Sequence, residues 1–179
     1  KGNTVYGFDS MNNYYDVNLK KARLSILKKY KNFKFSKINL EESKKIENIF
    51  KRTRPKVVIH LAAQAGVRYS IDKPEVYLKS NVNGTFNVIE SSNKIKVKHL
   101  IMASSSSVYG ANKKIPFKEI DKTETQLSIY ASTKKANESM AHSYSNIWNI
   151  PITMLRFFTV YGPWGRPDMA LFKFTKNIM

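Results

Sequence analysis

Val57-Val58-Ile59-His60-Leu61 runs for five residues without a formal charge. An apolar run of that length predicts a strand buried on both faces of a parallel sheet. Leu100-Ile101-Met102-Ala103 and Ile152-Thr153-Met154-Leu155-Arg156-Phe157 read as two further strands, and upstream Thr4 to Asp9 and Phe33 to Ile38 read as two more. Between them lie stretches with helical spacing. These are Val17 to Lys29, Leu40 to Lys51 with Ile46, Ile49 and Phe50 on one side, and Tyr130 to Ile147. A fourth helix has Asp72 as its cap, Pro74 in its first turn, and an apolar stripe at Val76, Val82, Phe86 and Ile89. Strand and helix alternate along the whole chain. The expected class is therefore α/β, a doubly wound parallel sheet built from right-handed βαβ crossovers with helices on both faces.

Composition narrows the function. The 179 residues carry 31 Lys+Arg against 13 Asp+Glu, a net charge of +18, yet 42% are hydrophobic and 12% aromatic, enough for a packed core. The chain has no cysteine and three histidines, so it offers no disulfide, no thiolate nucleophile and no His-rich metal site; no metal is expected. There is no apolar run near the roughly 20 residues of a membrane span, and Lys1-Gly2-Asn3-Thr4 lacks a signal-peptide core, so a cytoplasmic protein without membrane insertion is expected. The lysines concentrate between Lys20 and Lys56, alternating with Leu19, Leu24, Ile26 and Leu27, and read as the solvated side of amphipathic elements. A nucleic-acid binder would interleave exposed aromatics with those cations. Phe33, Phe35 and Phe50 read as core instead, and no nucleic-acid partner is expected.

In parallel sheets of this kind ligands bind beyond the carboxyl ends of the strands. At the first such end stands Asp9, where an acidic residue can bond a ribose hydroxyl or simply serve a turn. In dinucleotide-binding folds that residue follows a glycine-rich loop by about 20 positions. Only eight residues precede Asp9, so the first strand and that loop are expected to be absent. Beyond Leu61 lie Ala62-Ala63-Gln64-Ala65-Gly66, which suit either close approach of a flat ligand or tight packing. Beyond Ala103 comes the hydroxyl run Ser104-Ser105-Ser106-Ser107 and then Val108-Tyr109-Gly110. Tyr130-Ala131-Ser132-Thr133-Lys134 then opens a helix, and residues four apart share a helix face. A cation beside a phenol favours the phenolate, which makes an acid/base group of an otherwise poor base.

Asp9, His60-Leu61-Ala62-Ala63, Asn81, Ser104 to Gly110 and Tyr130-x-x-x-Lys134 together resemble the extended short-chain dehydrogenase/reductase family of nucleotide-sugar enzymes, which has a Rossmann-like fold. Three longer stretches, Ala62 to Ser70, Ala103 to Gly110 and Arg156 to Ala170, resemble its UDP-glucuronate 4-epimerase branch. The resemblance covers essentially the whole chain. It implies a partial dinucleotide-binding domain over residues 1–160 and the start of a sugar-nucleotide-binding region over 161–179, lacking the first βα unit and most of the C-terminal substrate domain. It also implies NAD as cofactor, a UDP-sugar substrate and C4 epimerisation through a 4-keto intermediate. A homodimer through the helices at Pro74 to Asn93 and Tyr130 to Ile147 follows from the same likeness. On this reading Tyr130 is base and acid, Lys134 assists it and binds the nicotinamide ribose, and Ser105, with Ser106 or Ser107 as rivals, bonds the sugar O4. Asp9 holds the adenosine ribose. Leu61, Ala62 and Ala63 line the cofactor cleft, and Asn81 supports it.

Oxidising C4 of a glucuronic acid makes a β-keto acid, which loses CO₂ when its carboxylate bond aligns with the carbonyl π system. An epimerase must prevent that alignment, so carboxylate-gripping groups are expected. Arg166 with Thr159 are the candidates, Arg68 is a second cation, and Phe158 joins Thr159 at the sugar. A surface ion pair is the alternative for each arginine. The competing activities are a related decarboxylase, a dehydratase or a UDP-hexose 4-epimerase. A dehydratase usually carries an acidic residue in the hydroxyl loop, and Ser104 to Tyr109 has none. A catalytically silent cofactor-binding protein would not need the Tyr130/Lys134 pair.

Overall fold

The computed structural model describes residues 2–179, which divide into two compact units. One combines the chain up to Ile38 with Thr159–Met179; the other is Asn39–Phe158. In the first unit β1 (Val5–Asp9) pairs in parallel with β2 (Phe33–Lys37), and Val5 lies opposite Phe33. The connection is α1 (Val17–Lys28), capped by the Asp16 carboxylate, which accepts from Asn18 N. The same unit ends in α7 (Ala170–Ile178), an element the sequence reading left unassigned.

The second unit carries β3 (Val57–His60), β4 (His99–Ala103) and β5 (Ile152–Leu155), all parallel and in that order. The chain is thus α/β with parallel strands, as expected. The strands form two sheets rather than the single one anticipated, β1-β2 in the first unit and β3-β4-β5 in the second. Helices α2 (Ser43–Thr53), α5 (Gly84–Lys94) and α6 (Ile129–Trp148) complete the unit. Ile46, Ile49 and Phe50 are buried on α2, as its spacing predicted.

β3 departs from the expectation of burial on both faces. Side chains alternate across a strand, and Val57, Ile59 and Leu61 on one face are 50%, 63% and 60% exposed, whereas His60 on the other is buried. That covered face continues through Leu100 and Met102 of β4, which lie opposite Val58 and His60 and are almost wholly excluded from solvent. The long helix beyond Pro74 also differs. It is divided into α3 (Tyr69–Asp72), α4 (Pro74–Tyr77), a π-helical turn at Leu78–Asn83, and α5. Asp72 ends α3 instead of capping the next helix, and Lys73 at that position makes no side-chain cap. The buried face is Tyr77, Asn81, Thr85, Val88, Ile89 and Ser92, while Phe86 of the anticipated stripe is exposed. Polar residues take inward positions that an apolar count could not reveal. Gly84 is required there, since a Cβ would come within 2.5 Å of the Leu40 Cβ.

Candidate active site

The second unit contains most of the residues singled out in the sequence: Leu61, Ala62, Ala63, Arg68, Asn81, Ser105, Ser106, Tyr130 and Lys134. Asp9, Thr159 and Arg166 belong to the first unit.

The site is founded on the start of α6. Ser128, with extended backbone, caps the helix by accepting from Ala131 N at 3.1 Å, the local arrangement favoured at a helix N-terminus. Tyr130 and Lys134 follow on one face. Tyr130 is half-buried, and its ring meets the edge of Tyr77 with centroids 6.1 Å apart. Lys134 is buried, and its ammonium donates to the Ala103 carbonyl at 2.8 Å, at the very end of β4. Burial pushes the Lys134 pKa down from 10.5 to about 8. Desolvation also holds the neighbouring His60 neutral, lowered to about 3, with the Lys134 charge acting in the same direction. His60 Nε2 is 3.0 Å from Thr85 Oγ1, which also accepts from Asn137 Nδ2 at 3.2 Å.

The hydroxyl loop leaves β4 beside that ammonium. Ser104 donates to Glu138 Oε1 at 2.6 Å and is committed to the scaffold. Ser105 accepts from Ser107 N at 3.2 Å and so caps the 3₁₀ turn Ser106–Tyr109, and Ser106 N donates to Phe157 O at 2.8 Å. Gly110 ends the turn at φ +56°, where a Cβ would lie 1.9 Å from the Thr125 carbonyl oxygen, so only glycine fits.

Glu138, which the sequence reading passed over, lies one helical turn beyond Lys134 on α6. Its carboxylate takes two charge-assisted bonds from Arg156, at 2.9 and 3.0 Å, besides the one from Ser104. Burial acts to raise its pKa, but the bonds from Arg156 and Ser104 outweigh it and hold the carboxyl below its usual 4.5. The i, i+4 relation to Lys134 was the available signal. A group with a lowered folded pKa contributes stability above its unfolded value, and that stability is lost as pH falls through the folded pKa. Glu138→Gln is therefore expected to cost about 1–3 kcal/mol near neutrality. Parent and variant should differ most near neutrality and draw together as pH falls below the ordinary carboxyl value of 4.5, which thermal denaturation across the acid range checks.

Beyond β3 the small-residue turn is gripped from below. Asn81 is wholly buried. It accepts from Gln64 N at 2.7 Å and donates to Gln64 O at 2.9 Å and to Thr133 Oγ1 at 3.2 Å. Its amide is used on the protein's own backbone, so any support it lends a cofactor passes through that turn. Ala62 and Ala63 are half-buried, and Leu61 and Arg68 are exposed. In the first unit Asp9 ends β1, exposed, and accepts from Met11 N at 2.6 Å, which is the turn duty that the sequence left open. Thr159 is exposed. Arg166 makes a two-pronged ion pair with Asp168, with Nε 2.9 Å from Oδ1, and Tyr14 donates to the same carboxylate at 3.3 Å.

The second unit thus carries a buried ammonium at a strand end, a half-buried phenol one turn before it on the same helix, a hydroxyl loop leaving that strand and a turn of small residues after β3. The chain belongs to the NAD dependent epimerase/dehydratase family, which it matches over residues 1–179. Among its relatives, a probable UDP-glucuronate 4-epimerase of Rhizobium meliloti (strain 1021) is 51% identical over 99% of the chain, and Staphylococcus aureus protein CapI is 55% identical over 100%. The chain spans about half the length of these relatives, 52% and 53%. The crystal structure of the Bacillus cereus UDP-glucuronic acid 4-epimerase in complex with UDP-glucuronic acid and NAD superposes with a TM-score of 0.89 at 33% identity, covering 97% of this chain and 54% of that one. Among the described residues no helix is long and apolar enough to cross a membrane.

Proposed function

We propose that this chain carries the catalytic half of an NAD-dependent epimerase that inverts C4 of a UDP-hexuronic acid, interconverting UDP-glucuronate and UDP-galacturonate. The observation that carries the reading is the placement of Tyr130 and the buried Lys134 on one face of α6, with the Lys134 ammonium fixed at the strand end from which the serine loop departs. The relatives named above support the choice of sugar.

The residues present fit a nicotinamide cofactor. The Lys134 cation is held in place to meet a ribose hydroxyl, Ala62, Ala63 and Gly66 keep the turn after β3 low, and the exposed Asp9 carboxylate suits the adenosine ribose. Bound NAD would supply an acceptor and then a donor of the C4 hydride. Tyr130 takes the proton from the sugar O4 and later returns it to the 4-keto sugar presented by its other face. Lys134 steadies the negative charge on the phenol oxygen. Ser105 bonds O4, with Ser106 next to it, while Ser104 is engaged by Glu138. The carboxylate grip falls to Thr159, Arg68 and Arg166, the last by exchanging Asp168 for the substrate carboxylate. Residues 1–160 would serve the cofactor and 161–179 would begin the sugar-nucleotide region. The dimer would form through the Pro74 to Asn93 and Tyr130 to Ile147 helices, in a cytoplasmic enzyme.

Protein of the relatives' length, incubated with UDP-glucuronate and NAD⁺, should yield the C4 epimer. A UDP-pentose would indicate a decarboxylase instead, and a dehydrated sugar a dehydratase. Asp9 should select NAD over NADP, because a carboxylate at the ribose repels a 2′-phosphate. Cofactor titration checks this, and tighter binding of NADP would remove Asp9 from the site.

A further inference from the structure

Tyr77 is wholly excluded from solvent, yet it carries a hydroxyl that packing alone does not need. That hydroxyl lies 2.8 Å from the Ala65 carbonyl oxygen and 2.5 Å from that of Gly66. Two successive carbonyls of the turn after β3 thus converge on one donor, at a position where Gly66 has a φ of +102°. Four residues later on the same irregular helix, Asn81 bonds both the N–H and the carbonyl of Gln64. The π-helical turn Leu78–Asn83 follows directly on Tyr77 and contains Asn81, and such turns occur often at functional sites.

Both side chains also reach Tyr130. The ring of Tyr77 stands edge-on to that of Tyr130, at 80° and 6.1 Å. Asn81 donates to Thr133 Oγ1, and Thr133 in turn donates to the Tyr130 carbonyl at 2.8 Å. We propose that Tyr77 is a positioning residue that ties the small-residue turn Ala65–Gly66 to the base Tyr130, its hydroxyl setting the turn and its ring setting the phenol. This rests on the proposed function, in which that turn lines the cofactor cleft and Tyr130 is the base. The two parts of one side chain then have separable effects. The hydroxyl acts on the cofactor, and the ring acts on turnover.

The test uses Tyr77→Phe and Tyr77→Leu in protein of the relatives' length, with NAD⁺ affinity by titration calorimetry, kcat with UDP-glucuronate, and amide hydrogen exchange in the cofactor-free protein. Tyr77→Phe keeps the ring edge and loses the donor. It should weaken NAD⁺ binding about 5-fold, the loss expected for one neutral hydrogen bond. It should speed exchange at residues 67–70, whose amides include the Ser70 N–H bonded to the Gly66 and Val67 carbonyls, and lower kcat less than Tyr77→Leu does. Tyr77→Leu should add a fall in kcat of about 10-fold or more. Parent-like NAD⁺ affinity and exchange in Tyr77→Phe would overturn the proposal, and that variant decides it even where Tyr77→Leu does not fold. A parent that binds NAD⁺ but does not turn over UDP-glucuronate would remove the proposed reaction while affinity and exchange still decide the role of the hydroxyl. A parent that binds no NAD⁺ would overturn both.

Discussion

Tyr130→Phe is expected to lower turnover by about 10²–10⁴-fold, the usual contribution of a positioned general base, while leaving the fold and its melting temperature close to those of the parent. The phenylalanine keeps the ring that meets Tyr77 edge-on and the carbonyl that accepts from Thr133. It also leaves the Ser128 cap of α6 intact. Only the ionisable oxygen is lost. Steady-state rates beside a thermal melt check the two halves of the expectation, and near-normal turnover in this variant would displace Tyr130 from the role of base.

Lys134→Met should abolish measurable turnover and make the protein more stable. The ammonium is buried with the Ala103 carbonyl as its hydrogen-bond acceptor, and burial depresses its pKa from 10.5 to about 8. That depression corresponds to roughly 3 kcal/mol against folding with the charge in place. Because the folded pKa lies below the unfolded one, the penalty is full below about pH 8 and fades as pH rises toward 10.5. Methionine matches the length and flexibility of the stem without the charge. A gain of about 1–3 kcal/mol at pH 7 is expected once the lost hydrogen bond is subtracted, narrowing between pH 8 and 10.5. Denaturant melts across that range check it. A variant less stable than the parent at pH 7 would mean that the cation is structural.

The alternation of strands and helices was legible because apolar runs at 57–61, 100–103 and 152–157 are separated by helical periods, and all three became parallel strands. What the sequence hid is polar and inward. Asn81, Thr85, Ser92 and Asn137 are buried, whereas a count of apolar residues places the helix stripe on Val76, Val82, Phe86 and Ile89, and of these four Ile89 is the one that is buried. The π-helical turn has no signature in residue type. The serine run blurred its own register, because four identical hydroxyls differ only in what they meet. Ser104 is set apart by Glu138, a contact between residues 34 positions apart. Tyr130 and Lys134 could be found because their pairing is local, four residues on one helix. Tyr77 could not, since its partners are the backbone of a turn 11 and 12 residues away and a ring on another helix.

The most direct test follows deuterium placed at C4 of UDP-glucuronate through protein of the relatives' length with a catalytic amount of NAD⁺, read by NMR of the product sugar. With Tyr130 moving the O4 proton and the hydride returned to the carbon it left, the product should be UDP-galacturonate with deuterium still at C4. Loss of the label to solvent, a UDP-pentose, or unchanged substrate would contradict the account.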